Sequence, residues 1–381
     1  MNMELNILNL GTDSSALVTG SKLAARLKEY GEAAGKYALV VPAGQKSIIK
    51  LSDKVSVYGS GGKHKIRQLL NIYKIAFGLL KDDRYDIITV QDPYFLSLAG
   101  YLLSKKTGAG LEIQVHGWEK YGGIRTWIAR FVLPRAAAVR TVSQRLKRQL
   151  IGEFGVKEEK ITVVPIFVES LARHASLGDA GGLKSQPEAG PPWAENVKST
   201  SKFVFLTVGR LVGVKNISLQ IDAMAEVVKK YPETELWIVG QGPEEEKLKV
   251  KSLKSNVGKN IKFLGWQSEV GEFYAQADAF MLTSFAEGWP LVIAEAASYG
   301  LPMIMTEMGS AGEFIKNNEN GIIVPIDDRT SLIQAMIRMI EDESLRLALG
   351  RKAAASFDSL PDKQTILELY TQSWRRAAEK L

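Results

Sequence analysis

At 381 residues the chain is too long for one ordinary core and points to two domains of roughly 150–200 residues each. Its 45% hydrophobic and 24% charged content suits a soluble globular protein, and no apolar run nears the roughly 18–20 residues that span a bilayer. The absence of cysteine excludes disulfide scaffolds and cysteine-based zinc sites or nucleophiles, three histidines argue against a His-rich metal site, and a net charge of +7 invites a polyanionic partner, nucleic acid or an anionic membrane.

The opening Met1–Asn9 runs straight into an alternating pattern with no secretory signal, which with the lack of cysteine fits a cytoplasmic protein. Glu4–Leu10 is expected as a strand ended by Gly11, followed by a helix from about Ala16 to Tyr30. Further strands are predicted at Tyr37–Val41, Asp86–Gln91, Leu111–His116, Ala137–Thr141 and Ile161–Val164, with helices at Arg67–Leu80, Tyr94–Lys105, Ile124–Leu133 and Gln144–Phe154. The pattern stops from His174 to Ser201, a Gly, Pro, Ser and Ala-rich linker or long loop.

Alternation then restarts. Strands are expected at Phe203–Val208, Glu235–Val239, Ile261–Leu264, Ala279–Leu282, Pro302–Met305 and Gly321–Val324. The intervening helices fall at Ile217–Lys230, Glu244–Leu253, Val270–Gln276, Leu291–Tyr299 and Ser331–Glu341, before a helical tail at Lys363–Lys380. Strand and helix alternating in this way predict parallel sheets covered on both faces. The expected class is α/β, two doubly wound Rossmann-like domains facing each other across a cleft, with ligands at the carboxyl ends of the strands. Domain limits are placed at residues 1–172 and 202–355, with a linker at 173–201 and a tail at 356–381 that would cross back to the first domain.

Two stretches carry the candidate chemistry. In the first, Phe203–Val208 feeds Gly209-Arg210-Leu211-Val212-Gly213-Val214-Lys215-Asn216, which sets two cations and two glycines at a strand-to-helix turn, suited to a diphosphate. Read alone, this pattern favours a solvated Arg and Lys on a loop, and the balance reverses only with the carboxylates Glu287 and Glu295 at the same edge of the sheet. The second, TSFAEGWPLVIAEAASYGLP at 283–302, joins a strand to a helix whose first amides favour an anion. Glu287 lies before that helix and Glu295 about two turns inside it, so both carboxylates can face one cleft.

GRLVGVKN, IVGQGPEEEKL at 238–248, SFAEGWPLVIAEAASYGLP and GSAGEFIKNNENGIIVP at 309–325 resemble, in this order, the retaining GT-B glycosyltransferases of family 4, also called glycosyl transferases group 1. The spacing of Glu287 and Glu295 is that family's E-x7-E signature. The resemblance covers the second domain almost end to end and the first more loosely, through VHGW at 115–118 and TVSQRLKRQL and ITVVP within 141–165. It implies that Arg210 and Lys215 grip the donor diphosphate, that Glu287 contacts the transferred sugar and that Glu295 holds the nucleotide ribose. It further implies that the backbone of Gly209 and of Gly288, Trp289, Pro290, Leu291 and Val292 meets phosphate and sugar, and that His116 stands near the reacting sugar carbon. Gly11 would let the diphosphate approach, although Gly11-Thr12-Asp13 replaces the paired glycines of many members. Gly240-Gln241-Gly242-Pro243 borders the base or is only a tight turn.

The implied reaction is metal-independent hexosyl transfer with retention, from a UDP- or GDP-linked sugar to a glycan or lipid-linked acceptor in cell-surface polysaccharide or glycolipid synthesis. No cofactor or metal site is expected. The remaining readings are an epimerase or phosphorylase on the same fold, or a basic nucleic-acid-binding protein, for which no binding motif is present. Between Lys105 and Arg148, and again from Lys63 to Lys74, basic residues alternate with Trp127, Phe131 and other apolar residues. This suits either peripheral docking on the anionic inner face of the cytoplasmic membrane or helices with a solvated basic face.

Overall fold

The computed structural model describes residues 4–117, 123–168 and 202–379, and the predicted linker lies outside them. The chain divides into two units, Met1–Ile166 with Pro361–Leu381, and Phe167–Leu360.

The first unit is built on an eight-stranded sheet in the order β3-β4-β2-β1-β5-β6-β7-β8. These strands are β1 (Asn6–Leu10), β2 (Lys36–Val41), β3 (Lys46–Lys50), β4 (Val55–Ser60), β5 (Ile87–Val90), β6 (Gly110–Val115), β7 (Ala138–Thr141) and β8 (Ile161–Val163). All neighbours run parallel except the edge strand β3, which pairs antiparallel with β4. Leu10 lies between Val40 and Val90 in register, and this central, fully buried position is why β1 reads as a near-continuous apolar run.

Five helices of this unit follow the strands: α1 (Lys22–Glu32), α2 (Lys65–Asp82), α3 (Phe95–Thr107), α4 (Ile124–Val132) and α5 (Gln144–Phe154). The helix expected from Ala16 begins only at Lys22. Asp13 caps a short 3-10 turn at Ser14–Leu17, and Ser21 then accepts from the Ala24 amide to start α1. The cores on the two sides of the sheet are distinct. Ile72, Leu103, Ile128 and Val132 from α2, α3 and α4 pack with Leu8, Val90 and Ile113, whereas Leu27 of α1 and Trp374 of the C-terminal helix pack with Ile7, Leu39 and Val57.

That C-terminal helix, Lys363–Glu379, lies along β6, β7 and β8. It approaches so closely that a Cβ on Gly110 would stand 2.0 Å from the Ala377 carbonyl oxygen, so only glycine fits there. Beneath it, Arg140 is buried 3.5 Å from the Glu112 carboxylate, with its guanidinium 3.8 Å from the centre of the Tyr370 ring. Arg140 therefore drops out of the basic surface that the sequence suggested.

The second unit has a six-stranded parallel sheet, ordered β11-β10-β9-β12-β13-β14. Its elements in chain order are β9 (Val204–Val208), α6 (Ile217–Lys230), β10 (Glu235–Val239), α7 (Glu245–Lys254), β11 (Ile261–Gly265), α8 (Gly271–Gln276), β12 (Ala279–Leu282), α9 (Leu291–Ser298), β13 (Met303–Thr306), β14 (Ile322–Val324), α10 (Arg329–Glu341) and α11 (Glu343–Asp358). The chain winds outward from β9 through β10 to β11, then returns beside β9 to wind the other way from β12. The reversal falls between β9 and β12, which is where an open α/β sheet leaves a crevice beyond its strand ends.

Candidate active site

The loops leaving β9 and β12 meet at that reversal, and the sequence-predicted residues of the second unit are brought together there. Phe285 donates its amide to the Val214 carbonyl at 2.8 Å, and the buried Thr283 hydroxyl bonds the Lys215 and Asn216 carbonyls at 3.2 and 3.1 Å. Gln220 on α6 fixes Thr283 from below at 2.9 Å. The two loops thus form one tied piece, and Asn216, at φ 47°, turns the chain into α6 in a conformation that asparagine tolerates better than most residues.

Held this way, the Lys215 ammonium points at Glu287 and sits 2.5 Å from its Oε1, which also accepts from the Ser284 hydroxyl at 2.8 Å. The ammonium also passes the backbone of Gly209, since a Cβ there would lie 3.9 Å from Nζ. Arg210 is exposed beside it. Helix α9 begins at Leu291, with Pro290 as its extended cap residue and no side chain capping it; the Ile293 amide bonds the Pro290 carbonyl at 3.1 Å, which leaves the Leu291 and Val292 amides open. The Trp289 indole is buried against Phe314, with ring centres 5.9 Å apart, so Trp289 offers this site its main chain.

One turn along α9, Glu295 accepts from the Tyr274 hydroxyl at 2.9 Å. Burial, and then the Glu295 charge, push the Tyr274 phenol well above its usual pKa, so it stays a donor at any physiological pH. Tyr274 is on α8, four residues beyond Val270. Val270 closes a cavity of about 550 Å³ lined also by Arg210, the Gly240-Gln241-Gly242 turn, Trp266 and Gln267. The turn hugs the neighbouring loop: a Cβ on Gly240, at φ 134°, would stand 1.9 Å from the Gly209 carbonyl oxygen. Leu211 and Gln241 are bonded main chain to main chain at 3.0 Å. The turn is therefore both a tight turn and a wall of the cavity.

Several of these residues escape sequence reading. Ser284 and Tyr274 act through Glu287 and Glu295, and no local pattern marks them. Trp266 carries a visible signal, a large aromatic directly after the glycine that ends β11, and it is 65% exposed at the cavity rim.

In the first unit, His116 follows β6 and its Nε2 lies 3.0 Å from Gln114 Oε1. Gln114 bonds Thr89 at 2.7 Å, and Thr89 in turn donates to Glu112 in a short hydrogen bond. Burial of the inner side of the ring, and then the Arg140 and Arg26 charges, pull the imidazole below its usual pKa and favour its neutral form. Gly11 ends β1, where its amide bonds Val40 at 3.0 Å and a Cβ would crowd Gln91 and Leu39 at 2.9 Å. Gly11 and His116 thus share the carboxyl edge of their sheet. Among the described residues no three His, Asp or Glu side chains gather as a metal site, and no helix is long and apolar enough to cross a membrane.

The second unit is thus a doubly wound domain with a lysine, a glutamate pair and a helix start gathered at its topological reversal. The glycosyl transferases group 1 model matches residues 193–356, the glycosyltransferase family 4 model matches residues 32–170, and the chain belongs to this GT-B family of glycosyltransferases. It is 27% identical over 293 residues to the UDP-Gal:alpha-D-GlcNAc-diphosphoundecaprenol alpha-1,3-galactosyltransferase of Escherichia coli, covering 74% of this chain and 72% of that protein. Among solved structures, Anabaena HepE in complex with UDP and glucose superposes with a TM-score of 0.73 at 19% identity, over 97% of this chain and 98% of that one. Sucrose-phosphate synthase from Thermosynechococcus elongatus superposes at 0.74 with 18% identity, again over 97% and 98%.

Proposed function

We propose that this glycosyltransferase moves a hexose from a UDP-linked donor to a lipid-linked or glycan acceptor, with retention and without a metal ion. The observation that carries the reading is the Lys215–Glu287 pair beside the open start of α9 and next to a cavity of about 550 Å³. An ammonium and free amides suit a diphosphate, a carboxylate suits sugar hydroxyls, and a cavity with an exposed tryptophan suits a nucleobase. Glu295, held by Tyr274 between cavity and helix start, suits the ribose hydroxyls. The E. coli relative's UDP-galactose donor and diphosphoundecaprenol-linked acceptor support both ends of the reading, and the UDP bound by HepE supports the donor end.

In the proposed reaction the bond between the sugar's anomeric carbon and the diphosphate oxygen breaks, while the acceptor hydroxyl bonds to that carbon from the same face. Its proton passes to the departing diphosphate. Arg210, Lys215 and the amides of Gly288, Trp289, Leu291 and Val292 balance the growing negative charge, while Pro290, which has no N–H, fixes the turn, so the protein supplies position and electrostatics. Gly11, Gly209 and His116 complete the proposed set, with acceptor binding assigned to the first unit.

The test is a panel of UDP- and GDP-sugars with polyprenyl-diphosphate-linked sugar acceptors. Release of nucleoside diphosphate only in the presence of acceptor, with product of the same anomeric configuration by NMR, supports the reading. Acceptor-independent isomerisation of the sugar nucleotide would instead show an epimerase, and dependence on inorganic phosphate a phosphorylase.

A further inference from the structure

The first unit carries a surface that the transfer reaction does not use. Helices α2, α3 and α4 lie side by side on one face of the sheet, α3 touching both of the others. Their inner sides fill the core through Ile72, Leu103 and Ile128. Outward they present Ile66, Leu70, Phe95, Leu102, Ile124 and Trp127 to solvent, with Ile66 76% and Trp127 64% exposed. Side chains of this size and exposure on one face are unusual for a surface that meets only water.

The charges on this face are overwhelmingly of one sign. Residues 63–82, 95–107 and 123–135 hold ten Lys and Arg against one carboxylate, Asp82 at the end of α2, so the rest of a chain with net charge +7 is net acidic. The cations are interleaved with the rings. Lys106 Nζ lies 4.1 Å from the centre of Phe77, Arg135 lies 4.2 Å from the centre of Phe131, and Trp127 stacks on Phe131 at 5.9 Å. Among the described residues no carboxylate pairs with Lys65, Arg67, Lys74, Lys81 or Arg130.

We infer that the outer face of α2, α3 and α4 docks on an anionic lipid bilayer, with Ile66, Leu70, Leu102 and Trp127 entering the headgroup region and the lysines and arginines meeting lipid phosphates. Charge complementarity selects this occupant. A purely apolar partner leaves ten cations unmatched, whereas an anionic bilayer satisfies both halves of the pattern. The three helices start at the sheet edge that carries Gly11 and His116, so a bilayer along this face also lies beside the end of the unit where an acceptor would enter. The inference rests on the proposed lipid-linked acceptor for its purpose, and on these residues for its content.

Sedimentation of the full chain with vesicles tests it. The protein is expected to bind phosphatidylcholine vesicles doped with phosphatidylglycerol at low salt, to be released by high salt, and to ignore pure phosphatidylcholine. Lys74→Glu/Arg130→Glu is expected to weaken binding at least ~25-fold, at roughly fivefold per cation. Leu70→Ser/Trp127→Ser should weaken it without changing its salt dependence. Both variants are judged against unchanged melting temperature and unchanged UDP binding, so a dead donor site cannot be mistaken for a lost membrane surface. Absence of binding to anionic vesicles, or binding indifferent to both double variants, overturns the inference. So does self-association that Leu70→Ser/Trp127→Ser abolishes in the absence of vesicle binding, which would assign the face to a second copy.

Discussion

The Lys215 ammonium and the Glu287 carboxylate stand 2.5 Å apart, with each side chain only 17% exposed. Each charge of this half-buried pair neutralises the other, and the proposed function has a ligand part them. A diphosphate would take the ammonium and sugar hydroxyls the carboxylate.

The two residues should therefore separate in binding experiments. Lys215→Ala is expected to weaken UDP by roughly 10- to 100-fold, the loss of one or two charge-assisted hydrogen bonds. Glu287→Ala should leave UDP unchanged or slightly tighter, because it removes a carboxylate that competes for the same ammonium, while cutting transfer from the UDP-sugar by about 10²- to 10³-fold. Isothermal titration with UDP and initial rates with the full donor read the two effects. Equal weakening of UDP by both variants would remove the division of labour.

Tyr274 holds Glu295 from α8, and no nucleotide contact of its own is required. Tyr274→Phe is expected to weaken UDP by roughly three- to tenfold, as one neutral hydrogen bond to a charged group is lost. It should not change the inhibition constant of inorganic pyrophosphate, which has no ribose. A matching loss for pyrophosphate would mean that the substitution disturbs the whole site and that the tyrosine does not act through Glu295.

Much of this was legible in the sequence because the winding repeats one rule. The central strands β9, β12 and β13 of the second unit are buried on both faces and read as apolar runs, and Gly209 to Lys215 and Glu287 to Glu295 fall at strand-to-helix turns where a ligand is expected. The edge hairpin β3–β4 was not legible. Lys46-Ser47-Ile48-Ile49-Lys50 has one face in water and no turn signal strong enough to outweigh its lysines, and it pairs antiparallel in a sheet otherwise read as parallel. Helix α11 was missed because its apolar residues do not gather into one stripe, and its buried contacts, through Leu349, Gly350 and Ala353, rest mostly on small residues. The start of α1 moved by two turns because the caps at Asp13 and Ser21 compete and Gly20 lies between them. The partners Ser284 and Tyr274 belong to tertiary packing, which spacing does not encode.

Acid stability should report on Glu235, which is buried at the start of β10. Burial alone raises a carboxyl pKa, but Lys202 at 2.7 Å, Lys262 at 2.7 Å and the Trp237 indole at 2.9 Å outweigh it and bring Glu235 down to about 2. A depressed folded-state value means stability that is fully present above the unfolded value of 4.5 and is lost as pH falls towards about 2. The contribution is on the order of 2 kcal/mol. Glu235→Gln should therefore lower stability at neutral pH by about that much and flatten its decline between pH 4.5 and 2, read as urea midpoints across pH. An unchanged acid limb would show that the lysines are not holding the carboxylate.

The buried pair under the C-terminal helix makes a prediction of a different kind. Glu112 is fully buried, accepts short hydrogen bonds from Thr89 and Ser373, and faces Arg140, whose Nε and Nη1 are buried without a hydrogen-bond partner. Burial alone lowers the Arg140 pKa, but Glu112, and then Tyr370, Tyr30 and Tyr37, more than reverse this and hold it charged. Removing either partner strands a charge in the core, so Glu112→Gln and Arg140→Met are each expected to cost roughly 3–5 kcal/mol. The double variant should be far less than the sum, about as stable as the better single one, because a neutral amide and a thioether leave no uncompensated charge. Chemical denaturation of the four proteins closes the cycle. Additive losses would mean that Arg140 is held by the Tyr370 ring and by packing rather than by Glu112.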